Sequence, residues 1–89
     1  MIVVLNAEKY STKEELHDFL AEAFHFPEWY GKNLDALYDC LSDLSEDTEL
    51  FLLHRSLLEE HLRNYAKAFC KVLRDAAKTN PHLTVHGID

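Results

Sequence analysis

Three short apolar runs, residues 1–6 (MIVVLN), 49–54 (ELFLLH) and 82–86 (HLTVH), stand far apart in the chain, and helix-patterned stretches fill the gaps between them. That alternation constrains the fold more than any other feature. Runs this short, rich in Val, Leu and Phe, read as strands. Strands separated by helical crossovers pair in parallel, because each connection must return the chain to the same end of the sheet. The expected fold class is therefore α/β, a small three-stranded parallel sheet packed with three to four helices, mostly on one side. The first run shows no polar alternation and is expected to be buried on both faces. With 89 residues the chain can bury one core, so a single domain over 1–89 is expected.

The helical stretches carry their own punctuation. Ser11 and Thr12 are each followed three residues later by Glu, so either can open a helix with a capping box. Leu16, Phe19, Leu20, Ala23 and Phe24 then fall on one helical stripe, and Phe26-Pro27 ends it. Glu28 to Lys32 reads as a turn in which Gly31 can take positive φ at little cost. Asn33 is a good N-cap for a second helix running to about Leu44. Residues 56–78 are helical in pattern, in two pieces broken near Asn64, with Phe69, Val72, Leu73 and Ala76 as the buried stripe of the second piece. Asn80-Pro81 stops that piece.

Charge adds functional content. The chain carries a net −7, which argues against nucleic-acid or anionic-membrane partners. Residues 28–49 hold seven acids against one base, Lys32, whereas residues 50–89 hold four acids and six bases. On a helical wheel of ~100° per residue, Leu34, Leu37, Cys40, Leu41 and Leu44 form one arc. Asp35, Asp39, Asp43 and Glu46 cluster on the opposite side, and Tyr38 stands between. Asp35 and Asp39, like Asp39 and Asp43, are four residues apart, so like charges stack along the helix with no base between them. Asp35 gains from the helix dipole in the first turn; Asp39 and Asp43 do not. Taken alone, such a stripe is also what a solvated helix face looks like. A positively charged partner would relieve it.

The run PEWYGKNLDALYDCL, Pro27 to Leu41, strongly resembles the barstar family of ribonuclease inhibitors: an aromatic pair, Gly, Asn, then Asp-Ala-Leu and a second Asp on the next turn occur together. Element order, length and acidic balance agree with that family over essentially the whole chain. The resemblance implies a barstar-like fold and an intracellular inhibitor of a basic, guanine-preferring, barnase-like ribonuclease. It implies that Asp39 stands where the scissile phosphate would lie and that Asp35 pairs with a basic residue at the rim. By the same resemblance Trp29 stacks on the catalytic histidine, Gly31 and Asn33 bring backbone close, Tyr38 packs at the edge and Asp75 adds a carboxylate. Tyr30 and Asp43 complete the expected partner-binding set. The chain departs from the best-known member by exchanging the aromatic types at Trp29 and Tyr38, by Leu44 in place of an aromatic contact, and by the shorter Asp75.

Other classes find less support. No HExxH, CxxC or glycine-rich phosphate loop is present. His82 and His86 would lie ~13 Å apart along a strand, too far to share an ion, so neither metal nor cofactor is expected. Asp35 and Asp39 lie on successive turns of an exposed helix, with no cleft to split their pKa values as an acid/base pair requires, and the chain is not expected to be an enzyme. Trp29 and Tyr30 could simply cover a core edge, Gly31 and Asn33 could be turn and cap alone, and Cys40 reads as a packed thiol. Cys40 and Cys70 have no metal-type spacing and are expected to stay reduced in a cytoplasmic monomer. No stretch reaches the ~20 apolar residues of a membrane span, and the apolar start lacks the flanks of a signal peptide. The rival reading is a generic acidic binding module, a nucleic-acid mimic or antitoxin, for a different basic protein.

Overall fold

The computed structural model describes residues 1–88. Strand β1 (Ile2–Asn6) leads through a 3-10 turn (Ala7–Lys9) to helices α1 (Lys13–Phe24) and α2 (Leu34–Ser42). Strand β2 (Thr48–Leu53), helices α3 (Arg55–Leu62) and α4 (Asn64–Thr79) and strand β3 (Leu83–His86) follow. The sheet order is β1-β2-β3 and both pairings are parallel. Right-handed crossovers are the rule for parallel strands, and two that step in the same direction place both helix pairs on one face. Burial follows that expectation. Val3, Leu5, Leu50, Leu52 and Leu83 point into the core with Leu16, Leu20, Leu37, Leu41, Phe69 and Leu73 from the helices.

The other face of the sheet is open, which corrects the reading of residues 1–6. Ile2 and Val4 are 67% and 50% exposed and lie in register with Glu49 and Phe51 of β2. The missing polar alternation in MIVVLN thus reflects the preference of β-branched residues for extended backbone, not a second layer. Across this face the Phe51 and His86 rings stack with centroids 4.4 Å apart, and His86 Nε2 lies 3.0 Å from Glu49 Oε1.

Local chemistry explains the helix ends. Thr12 is the N-cap of α1: its hydroxyl accepts from the Glu15 amide while the Glu15 carboxylate accepts from the Thr12 amide, the reciprocal capping box. The amides of Ser11 and Thr12 and the two hydroxyls hold the Glu15 carboxyl below its ordinary pKa. At the other end His25 takes left-handed φ (57°), the Phe26 amide donates to Ala21 O, and the His25 amide donates to Glu22 O. This is a Schellman ending with His where Gly is usual. Helices α3 and α4 break at Arg63, whose φ is 56°, beside the expected Asn64.

Candidate functional site

Residues 27–44 form one structural unit, held from outside. Asn33 caps α2 as expected, its Oδ1 accepting from the Ala36 amide at 2.8 Å. Leu37 and Leu41 are fully buried, and Leu34, Cys40 and Leu44 are half-buried. The helix ends at Ser42 with Asp43 at its C-cap, close to the expected end near Leu44. Nine residues are too few for a helix to stand by itself in water. Stability comes from α4, against which α2 chiefly packs.

Two contacts from distant residues secure this unit. Asn80 is buried, and its Nδ2 donates to the carbonyls of Leu41 and Leu44, both at 2.9 Å, while its Oδ1 accepts from the His82 amide. A side chain after α4 therefore serves the carbonyls at the end of α2, where Leu41 O otherwise has a long bond from the Leu44 amide at 3.4 Å. In the sequence Asn80 reads only as a stop before Pro81. The second anchor is His17, which is completely buried: Nδ1 lies 2.6 Å from the Tyr30 hydroxyl and Nε2 2.6 Å from the Tyr65 hydroxyl. A neutral imidazole has one donor and one acceptor and each tyrosine hydroxyl can play either part, so both ring nitrogens are partnered with His17 uncharged, the form that burial favours. Burial accordingly pushes its pKa below the ordinary 6.5 and raises both tyrosines above theirs. The only sequence signal was a histidine flanking the apolar stripe of α1.

These anchors correct two expectations. Tyr30, counted among the partner-facing residues, is only 6% exposed; its ring packs on Phe26 with centroids 4.8 Å apart, so it holds the loop from below. Positive φ in the turn falls on Lys32 (52°), not Gly31. What Gly31 supplies is room, since a β-carbon there would sit 2.9 Å from Asn33 Nδ2, the atom that donates to the Gly31 carbonyl.

The remaining residues come together on the surface. Asp35, Asp39 and Asp43 are exposed along one side of α2, and Trp29 is 77% exposed at the preceding loop. Lys32, the one base of this segment, turns away to place its Nζ 2.6 Å from Asp18 on α1. Among the described residues no cation pairs with the three aspartates. Tyr38 flanks them and ties α2 to α4: Thr79 gives its hydroxyl proton to the Asp75 carbonyl, so Tyr38 donates to Thr79 Oγ1 at 2.8 Å. Asp75 lies one turn before Thr79, but its carboxylate is held by Lys71 Nζ at 2.8 Å, and that hydrogen bond lowers its pKa first among several nearby bases.

Cys40 and Cys70 are free thiols, both raised in pKa by burial first and, at Cys40, by Asp39 and Asp43 next. No group of three metal-ligating side chains occurs among the described residues. A hollow of about 320 Å³ opens at the strand starts, lined by Met1, Asp47, Glu49 and His82 among others, and none of Asp35, Asp39 and Asp43 lines it. A second groove, about 250 Å³, runs between the Phe24–Trp29 segment and the end of α2. Among the described residues no helix is long and apolar enough to cross a membrane.

Fold and surface together give a small α/β domain with a braced acidic face, its aspartates without an ion pair among the described residues, beside an exposed indole. The chain belongs to the Barstar (barnase inhibitor) family, which matches over residues 1–86. It is 32% identical over 75 residues to a Bacillus subtilis (strain 168) protein named "Putative ribonuclease inhibitor YrdF", covering 83% of this chain and 82% of that one.

Proposed function

We propose that this chain inhibits a basic, guanine-preferring ribonuclease of the barnase type by closing its active site with α2 and the preceding loop. The observation that carries the reading is the row Asp35, Asp39 and Asp43, exposed and without an ion pair among the described residues, on a helix braced by Asn80 and the His17 cluster. Family membership supports the same reading. A ribonuclease cleft must bind a phosphodiester, so it offers convergent cations; a carboxylate on a rigid helix can take the place of the phosphate. Asp39 fills that place, Asp35 meets a base at the rim, and Trp29 stacks on the catalytic histidine. Gly31 and Asn33 bring backbone close, Tyr38 covers the edge, and Asp75 joins by exchanging Lys71 for an enzyme cation. Tyr30 acts through the loop it holds. Pre-formed geometry lowers the ordering cost of binding, and opposite fields speed encounter. The free thiols suit a reducing cytoplasm, and the free chain is taken as a monomer.

The test is to titrate the chain into a barnase-type ribonuclease hydrolysing RNA. Activity should fall stoichiometrically, with association slowing as salt rises. Undiminished hydrolysis at excess chain, with capture of a different basic protein, would favour a generic acidic module instead.

A further inference from the structure

The groove of about 250 Å³ beside the acidic row has an uneven chemistry. Phe26, Trp29 and Leu44 supply an apolar lining, and the half-buried Cys40 adds a thiol. Its one carboxylate is Asp43, exposed and without an ion pair among the described residues. His25 is the remaining titratable side chain there.

An aliphatic occupant would fit the walls but would desolvate Asp43 with nothing in return. A lysine would neutralise Asp43, yet its compact ammonium holds its water strongly and offers no flat surface to the indole. Arginine satisfies both halves of the groove. Its methylene stem can lie along apolar walls, its planar guanidinium stacks on an aromatic face, and its paired N–H groups match a carboxylate. Most of the Trp29 ring is uncovered, so it is open to such stacking.

We propose that this groove takes an arginine side chain of the protein partner, with the guanidinium held between the Asp43 carboxylate and one face of the Trp29 indole, the other face being left to the catalytic histidine. The assignment rests on the reading of this face as a ribonuclease-binding surface, and it makes Asp43 and Trp29 specificity determinants beside Asp39. A partner without an arginine at the matching rim position leaves Asp43 desolvated and is discriminated against.

Trp29 is the only tryptophan, so its fluorescence reports the groove directly in the free chain. The probe is N-acetyl-L-arginine amide, with the citrulline counterpart as a neutral shape control. Arginine should quench Trp29 saturably and the citrulline compound at least tenfold more weakly. Asp43→Asn should bring arginine to the citrulline level, while Glu60→Gln, which removes an exposed carboxylate on α3 outside the groove, should leave it within about twofold, as expected for a distant and screened charge. Equal response to both compounds, or an unchanged titration in Asp43→Asn, overturns the proposal. Failure of the parent reading looks different. A flat arginine titration in a chain that still inhibits the ribonuclease removes only the groove assignment. A specific titration in a chain that inhibits no ribonuclease keeps the arginine groove and removes the ribonuclease as partner.

Discussion

Helix α2 and the α3–α4 pair treat charge in opposite ways. On α3 and α4, Glu59 is held by Arg55 and Asp75 by Lys71, each pair one turn apart on its own helix. On α2 the neighbours one turn apart are aspartates, and Lys32 is drawn off to Asp18. The two regions also differ in what braces them. The sixteen-residue α4 buries its own stripe of Ala66, Phe69, Cys70, Leu73 and Ala76. The nine-residue α2 depends on Asn80 at one end and, through Tyr30, on His17 at the other. The difference teaches that α2 carries outward carboxylates without an ion pair among the described residues, while side chains from α1 and from the segment after α4 supply its rigidity.

The sharpest way to break this comparison is to remove one carboxylate from each region. Asp39→Ala should leave folding stability unchanged or slightly improved, because it relieves repulsion on an exposed face. It should weaken ribonuclease binding by about 2–5 kcal/mol, the range for truncating one member of a buried charge pair, for which the complex of barnase with barstar, the inhibitor that gives this family its name, is itself a reference case. Asp75→Ala should weaken binding far less, since the enzyme gains there only what Lys71 gives up. Equal losses by titration calorimetry would show that the acidic face acts as a diffuse field.

Next in size is the brace. Asn80→Ala leaves the carbonyls of Leu41 and Leu44 short of a donor and should cost about 1–3 kcal/mol in urea unfolding, with weaker inhibition although Asn80 lies beneath the surface. Inhibition at wild-type strength in a destabilised protein would mean that α2 needs no bracing to bind.

The second brace should fail in acid. Because the folded pKa of His17 is lowered, its contribution is complete above the ordinary value of 6.5 and is lost as pH falls toward the folded value. Stability should therefore drop on acidification by at most about 1.4 kcal/mol per pH unit from this single proton. Chemical denaturation at stepped pH measures the slope, and a flat profile below pH 6.5 would show that the buried imidazole tolerates its charge. The smallest effect belongs to the paired region. Lys71→Ala should leave the thermal midpoint within error of wild type, since exposed pairs contribute little, and should modestly speed association by freeing Asp75. Slower association by stopped flow would contradict the assignment of Asp75 to the binding face.

Much of the architecture was legible because it is written in local patterns. Short apolar runs marked three strands, and period-3.6 spacing marked the helices between them. Thr12 with Glu15, and Asn33, marked two N-caps. The run from Pro27 to Leu41 marked the family. The open outer face of the sheet was not legible, since Ile2 and Val4 follow the same β-preference whether or not a layer covers them.

What the sequence alone determined was therefore the order and type of the elements and the row of aspartates on α2, because helical spacing puts residues four apart on one side whatever surrounds them. What only the tertiary structure decided was which of the marked residues face outward and what holds them there. Tyr30 turned inward to His17 and Lys32 turned away to Asp18 because buried polar groups must find partners and free charges seek opposite ones, and those partners lie 13 and 14 positions distant. The bond from Asn80 to Leu41 spans 39 positions. No local pattern encodes such a contact; it exists only once α4 has packed against α2.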